Sequence, residues 1–251
     1  MRKHVPVLAA LATSILMVSC AADPAGAREQ ASMSAETKDS AVPFHDPAIV
    51  PMADAVARGD TARIRALAPS TDLSARGEDE VTLLEWAIWN EKPTSLSALL
   101  DAGADAAALG MDNETVAHMA AMVNDAQYLQ VLIAHGAPVD IPRPGLGWTP
   151  IFRAVENRRD AQVEMLIAAG ADIRRTDSMG DSLLHVAANV NDAGRVLKLL
   201  QSGLDPQMKN KQGNTFQAAL FAGSDGRLNA EGKAARQKVR DWLDAHDVPR
   251  Q

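Results

Sequence analysis

Histidine is the side chain best suited to acid–base or metal chemistry in this sequence, and two of the six histidines recur at one spacing. His118 and His185 each follow a hydroxyl residue by three positions, Thr115 and Ser182. A lone histidine in such a place is more often a structural hydrogen-bonding group than a base or a ligand. His135 precedes a glycine and is expected at the surface. Because the chain also lacks H-E-x-x-H, G-x-S-x-G and Walker sequences, we expect no catalytic residue, no metal site and no cofactor.

Other chemistry-bearing patterns are equally weak. Gly145-Leu146-Gly147 matches part of a nucleotide-binding turn, but no strand–helix–strand unit surrounds it, so we interpret it as a lengthened turn. The 32 acidic residues outnumber the 25 basic ones, the net charge is −7, and no basic cluster occurs. Phosphate contacts need Lys and Arg, so a nucleic-acid partner is not expected. We expect no small-molecule substrate either.

The single cysteine lies where a secretion signal would end. Arg2 and Lys3 precede an apolar run, Val5–Val18, which is shorter than the roughly 20 residues of a spanning helix. This pattern predicts a signal peptide over residues 1–19. Met17-Val18-Ser19-Cys20 resembles the lipobox of bacterial lipoproteins, although Met17 stands where leucine is usual. The resemblance implies a diacylglycerol on Cys20. The alternative is an ordinary signal peptide with an incidental cysteine.

The segment after Cys20 differs in composition from the rest of the chain. Residues 20–46 are rich in Ala, Ser, Pro and charge and contain few large apolar side chains. Such a segment cannot bury enough surface to offset its ordering entropy, which predicts a lipid-anchored flexible tether. Residue 21 is Ala rather than Asp, and by resemblance to bacterial lipoproteins this favours the periplasmic face of the outer membrane. The folded domain is expected over residues 47–249.

This domain repeats with a period near 33 residues. Hydroxyl residues recur at steps of 33, 34, 33 and 33, namely Thr82, Thr115, Thr149, Ser182 and Thr215. Glycines recur at steps of 33, 34 and 33, namely Gly103, Gly136, Gly170 and Gly203. The two series are independent and agree on where the extra residue falls. A repeat of this length indicates stacked supersecondary units.

Each repeat contains the signals of two short helices. The hydroxyl residue can cap the first helix, and Thr82 with Glu85 has capping-box spacing. An alanine five residues later permits close helix packing, and an apolar stripe marks the second helix before its glycine stop. The low aromatic content of 4% also favours helices. We therefore predict an all-α solenoid of about six helix–turn–helix units, in which the terminal units are degenerate.

Two stretches carry a family resemblance. Thr149-Pro150-Ile151-Phe152-Arg153-Ala154 and Leu166-Ile167-Ala168-Ala169-Gly170-Ala171-Asp172 resemble the T-P-L-H-x-A and L-L-x-x-G-A-D motifs of the ankyrin repeat. The resemblance implies a protein-binding scaffold, and it makes His118 and His185 structural groups near a helix start. Fold alone does not choose the partner.

The ankyrin resemblance also implies which positions face the binding groove. These positions precede the hydroxyl residue by four, three or one, or follow it by seven or eight. Large apolar residues rimmed by acids occupy them, as in protein-binding sites. The predicted protein-binding residues are Trp89, Met111, Asp112, Glu114, Met122, Leu146, Trp148, Glu156, Met179 and Asp181. Extra core packing remains an alternative for Trp89 and Met122, whereas binding is favoured for Trp148, whose replacement by alanine is expected to leave thermal stability almost unchanged.

Taken together, these patterns predict a non-enzymatic lipoprotein of the bacterial periplasm that binds another protein. By resemblance to envelope ankyrin proteins, we expect an inhibitor or immunity protein that neutralises an antibacterial effector such as a lipase. The alternative is an envelope scaffold or stress-protection factor that stabilises a periplasmic enzyme. A catalytic role would need a solvent-open pocket that joins His118 or His185 to an acid.

Overall fold

The computed structural model describes residues 42–223 and 225–250. The predicted signal peptide, Cys20 and most of the predicted tether lie outside the described residues. Within them, the last residues of the tether segment contact the repeats. Phe44 is 2% exposed and packs edge-on against Trp86, with ring centroids 6.5 Å apart. The Pro43 carbonyl accepts a hydrogen bond of 2.8 Å from Glu78 N–H.

The described residues form twelve α-helices in six antiparallel pairs, as the repeat predicts. The pairs are α1 Val50–Arg58 with α2 Thr61–Leu67, α3 Leu83–Trp89 with α4 Pro93–Asp101, α5 Val116–Met122 with α6 Gln127–Ala134, α7 Pro150–Glu156 with α8 Asp160–Ala168, α9 Leu183–Asn189 with α10 Ala193–Gln201, and α11 Phe216–Leu220 with α12 Ala230–Ala245. Short 3-10 turns occur at Ala68–Ser70, Glu78–Glu80, Met111–Asn113 and Asp225–Arg227. Between residues 42 and 250, β-structure is limited to three isolated bridges.

Four of the first helices begin where a hydroxyl residue caps the backbone. Among the described residues, Thr149 Oγ1 before α7 has no hydrogen-bond partner, and α1 follows Ile49 without a side-chain cap. Thr82 Oγ1 accepts a hydrogen bond of 3.1 Å from Glu85 N–H, and the Glu85 carboxylate accepts one of 2.8 Å from Thr82 N–H. This reciprocal pair is the capping box that the spacing predicts. Thr115 and Ser182 form the same box with a histidine in place of the glutamate. A cap of this kind stabilises a helix by about 1 kcal/mol.

Each second helix of the four middle pairs ends at a glycine in the left-handed region. The φ angles are 92° at Gly103, 71° at Gly136, 92° at Gly170 and 83° at Gly203. Other residues are strained there, so glycine is the expected stop. The prediction drawn from the glycine series is therefore confirmed.

The core runs through the stack without interruption. The repeated alanines of the first helices are fully buried, namely Ala87, Ala120, Ala154 and Ala187. Each first helix contacts the first helix of the next pair, so the first helices form one row and the second helices another. Each pair buries its apolar stripe against its neighbours, which is how a repeat solenoid gains its stability.

Candidate functional site

The ten predicted binding residues lie on two features of the stack. The first is the tip ridge, which we define as the turns 78–80, 111–113, 145–147, 178–180 and 211–213 with the residues that flank them. The second is the set of C-terminal ends of the first-row helices, which carries Trp89, Met122 and Glu156. Together they make up the first-row face, opposite the second-row helices.

Backbone hydrogen bonds join neighbouring tips. Ser178 N–H donates to the Leu146 carbonyl at 2.8 Å, and Lys211 N–H donates to the Met179 carbonyl at 2.9 Å. A Cβ on Gly147 would lie 3.2 Å from the Ser178 nitrogen, and the Gly147 φ is 79°. Glycine therefore allows this tip to approach the next one closely. The third, fourth and fifth tips are consequently held in place by backbone hydrogen bonds.

Three large apolar side chains are exposed on this face. Trp89 is 37% exposed, Met179 is 46% exposed and Leu109 is 36% exposed. Trp89 and Met179 belong to the predicted set, but Leu109 does not. Leu109 stands six residues before Thr115, where other repeats place Arg, Thr or Lys. An odd apolar residue in that aligned column is the signal that would have revealed it.

Glu114 is buried, unlike the other predicted acids. Its side chain is 8% exposed, and Oε1 lies 2.6 Å from Arg153 Nη2 and 3.4 Å from Arg143 Nη1. Arg153 also pairs with Glu156 Oε2 at 3.0 Å. A charge this deep requires such partners. Arg153 and Arg143 cover the Glu114 carboxylate, so Glu114 positions these two arginines and is not free to bind another molecule.

Trp148 is half-buried and tied to the following repeat. Its indole N–H donates to Asp177 Oδ2 at 3.0 Å, and the Arg153 guanidinium lies 5.2 Å from its ring centroid. Its ring centroid is 5.8 Å from that of Phe152. Stacking with a cation and a neighbouring ring each contribute on the order of 1 kcal/mol. Trp148 thus stabilises the junction between repeats as well as lining the face.

The remaining predicted residues differ in how free they are. Asp112 is exposed, whereas Met111, Met122 and Leu146 are half-buried. Asp181 is half-buried and accepts a hydrogen bond of 2.7 Å from Asn210 Nδ2. The side chains available to another molecule are therefore mainly Trp89, Asp112 and Met179, with partial access to the apolar residues between them.

Neither repeated histidine lies in an open pocket with an acid. His118 is buried, Thr115 N–H donates to its Nδ1 at 3.1 Å, and its Nε2 lies 3.0 Å from the Trp148 carbonyl. Burial lowers the pKa of His118, which favours the neutral ring. His185 repeats this arrangement with Ser182 and the Asn214 carbonyl. Both rings therefore join one repeat to the next. Over the described range, no three His, Cys, Asp or Glu side chains are grouped for a metal ion.

This arrangement of stacked helix pairs and linked tips defines a class of repeat proteins. A family model for ankyrin repeats in three copies matches residues 84–177. The described part of the chain is an all-α ankyrin-repeat solenoid. No helix in that part combines the length and apolar character needed to cross a membrane.

Relatives that are similar in sequence include one from Serratia liquefaciens and one from Homo sapiens. Protein PhlB of Serratia liquefaciens is 45% identical over 149 residues, which cover 59% of this chain and 66% of PhlB. The alignment thus spans just under two thirds of that relative. Neurogenic locus notch homolog protein 1 of Homo sapiens is 31% identical over 134 residues, which cover 53% of this chain and 5% of that protein.

Two solved structures have a similar fold. One is Bd0816 predatory endopeptidase from Bdellovibrio bacteriovorus in complex with immunity protein Bd3460; the matching chain has a TM-score of 0.61 and 24% identity, with 75% of this chain and 97% of that chain covered. The other is the ankyrin repeat protein EF0377, with a TM-score of 0.65 and 18% identity, covering 77% of this chain and 97% of that one. At these identities the likeness concerns the fold.

Proposed function

We propose that this protein is a non-enzymatic lipoprotein of the bacterial periplasm that binds and neutralises an antibacterial effector through its first-row face. The observation that carries the proposal is the exposure of Trp89 and Met179, at 37% and 46%, on a face that also presents Asp112. Repeat packing does not use these apolar surfaces. Aromatic and methionine side chains rimmed by charge are typical of protein-binding sites.

The comparisons support an inhibitory role in particular. One similar fold occurs in a complex of an endopeptidase with an immunity protein, and Protein PhlB is 45% identical over 149 residues. Inhibition by binding needs no catalytic group, which agrees with histidines that are buried and occupied by structural hydrogen bonds. The effector we favour is a lipase or another envelope-degrading enzyme.

A rescue experiment tests this role. A bacterial lipase that carries a secretion signal is directed to the periplasm of a host with and without this protein. We expect the wild-type protein to restore growth and the variant Trp89→Ala/Met179→Ala to lose rescue while its melting temperature is unchanged. The matched control is Met165→Ala on α8, in the second row, which should rescue fully. If wild type leaves the enzyme toxic and instead raises its activity, the scaffold alternative is supported and inhibition is excluded.

The proposed membrane attachment is tested separately. Cys20→Ala should abolish incorporation of labelled palmitate and release the protein from the membrane fraction, because the thiol is the proposed attachment point. Ser19→Ala, beside the cysteine, is the matched control and should keep the label, since a small residue is retained there. Absence of label from the wild-type protein would contradict lipidation and favour an ordinary signal peptide.

A further inference from the structure

The two ends of the tip ridge carry opposite charge. Glu78, Asp79 and Glu80 of the first tip are exposed. At the fifth tip Lys211 and, two residues before it, Lys209 are also exposed. Among residues 42–223 and 225–250, one of these five side chains is within ion-pair distance of an opposite partner, namely Glu78, which lies 2.7 Å from His45. The other four charges have no oppositely charged neighbour within ion-pair distance in that part of the chain. Both ends are therefore available to a charged partner.

The middle of the ridge is mainly apolar, although the exposed Asp112 stands beside Met111 on the second tip. Met111, Leu146 and Met179 occupy the second, third and fourth tips, and Met179 is 46% exposed. Two acids near the fourth tip form hydrogen bonds within the chain, because Asp177 accepts from Trp148 and Asp181 accepts from Asn210. The ridge thus runs from acidic through apolar to basic along five tips.

This order is complementary to itself when reversed. We propose that the tip ridge pairs with the same ridge of a second copy of this chain, antiparallel, about a two-fold axis at Leu146. The first tip of each copy then faces the fifth tip of the other, so Glu78 and Glu80 meet Lys209 and Lys211. The second tip faces the fourth, and the third tip faces its equivalent. Such an isologous contact closes on itself, and dimers of this kind are the commonest oligomers.

The ridge is prepared for this contact. The hydrogen bonds from Ser178 to Leu146 and from Lys211 to Met179 hold the third, fourth and fifth tips in register. Side chains presented by a preformed backbone lose less entropy on association than those of a free loop. Each copy buries Met111 against Met179 and Leu146 against Leu146, which removes apolar surface from water.

The dimer goes beyond the proposed inhibitory function but involves the same face. An effector that contacts Leu146 and Met179 has to displace the second copy. The two ideas fail separately, because dimerisation is measured on the purified chain alone and inhibition is measured with the enzyme.

Sedimentation velocity of the purified protein tests the dimer. At low ionic strength we expect twice the mass of a single chain. In about 1 M salt, where the Debye length is roughly 3 Å, the mass should fall toward one chain. Glu78→Lys/Glu80→Lys makes both ends basic, and Lys209→Glu/Lys211→Glu makes both ends acidic. Each variant alone should be monomeric. An equimolar mixture should form a heterodimer, because both end contacts are then restored.

The matched control changes net charge by the same amount elsewhere. Lys233→Glu/Lys238→Glu on α12 alters two exposed lysines away from the tips and should leave the dimer intact. Circular dichroism melting checks that every variant is folded. A monomeric wild type would overturn the proposal and leave the ridge to a different protein. Dimeric ridge variants, or a mixture that fails to associate, would overturn it equally.

Discussion

Trp89 and Trp148 lie on the same face of the solenoid but in different surroundings. Trp89 closes α3 with its side chain 37% exposed, and its indole N–H has no hydrogen-bond acceptor among the described residues. Trp148 donates to Asp177, stacks near Arg153 and packs against Phe152. One tryptophan is presented to solvent, and the other is built into the contact between repeats.

The difference follows from position within the repeat. A residue directly before the capping hydroxyl lies between two neighbouring tips, so side chains of the next repeat and of the following helix can reach it. A residue at the end of a first-row helix has solvent beside it. The same reasoning separates Glu114, which Arg153 and Arg143 cover, from the exposed Asp112. We therefore expect substitutions of the covered residues to lower stability and substitutions of the exposed residues to weaken binding.

The largest loss of stability is expected for Glu114→Ala. Removing the carboxylate leaves the mostly buried Arg153 without its closest partner, and breaking such a pair costs about 3 kcal/mol. Urea unfolding should show this loss as a lower midpoint. Asp112→Asn, two residues away and exposed, is the control and should stay within about 0.5 kcal/mol of wild type, because asparagine also accepts the left-handed φ of 56° at this position. Equal losses for both acids would contradict a special role for the buried pair.

A double variant sharpens that result. Glu114→Ala/Arg153→Ala removes both charges, so it should be less destabilised than the sum of the two single variants. Additive losses would mean that the two side chains act independently.

Trp148→Ala should have the next largest effect, a loss of about 2 kcal/mol in the free energy of unfolding. Truncating a fully buried aromatic costs about 3–5 kcal/mol, and the loss is smaller here because the ring is half-exposed. Trp148→Phe keeps the ring but not the donor to Asp177, so its loss should be intermediate. Thermal and urea unfolding check both. This expectation reverses the small stability effect predicted from the sequence, and an unchanged melting temperature for Trp148→Ala would restore the earlier interpretation.

The fold was predictable because its signals are local. The hydroxyl and glycine series marked the helix starts and stops, and the expected capping box at Thr82 is present. These features depend on residues within one repeat, so reading along the chain is sufficient.

The candidate site was harder to predict because its contacts cross between repeats. The positions of Trp89 and Met179 were inferred from their phase, and both are exposed. The covering of Glu114 by Arg153 joins residues 39 positions apart, and no local pattern indicates it. Leu109 was missed because it stands outside the positions that the family resemblance marks.

A smaller, pH-dependent effect is expected at His118. Burial lowers its pKa, whereas its hydrogen bond with the Trp148 carbonyl and the charge of Glu114 oppose that shift, and Arg153 and Arg143 reinforce it. Since the folded pKa lies below the unfolded value of about 6.5, the unfolded chain takes up the proton first as pH falls. The contribution of His118 to stability is therefore complete above pH 6.5 and declines below it.

A glutamine variant isolates this titration. His118→Gln replaces the ring with an amide that does not titrate and that can still donate to the Trp148 carbonyl, which lies 3.0 Å from His118 Nε2 in the wild type. The difference in unfolding free energy between wild type and variant should change between pH 7.5 and 5, with wild type losing more. A difference that stays constant with pH would rule out His118 as the source.

Trp89→Ala should have the smallest effect on stability and so completes the contrast with Trp148. Its exposed indole makes no hydrogen bond within the described part of the chain, so truncation should change the free energy of unfolding by less than about 0.5 kcal/mol. Truncating a tryptophan at the centre of an interface commonly costs about 2 kcal/mol or more of binding free energy, equivalent to a roughly 30-fold weaker complex.

Calorimetric titration against the neutralised enzyme should therefore separate the two tryptophans. Trp89→Ala should lose affinity at an unchanged melting temperature, whereas Trp148→Phe should have a lower melting temperature and keep most of its affinity. If Trp89→Ala instead melts early and binds normally, Trp89 packs as core between repeats, and the apolar part of the binding face shrinks to the tips.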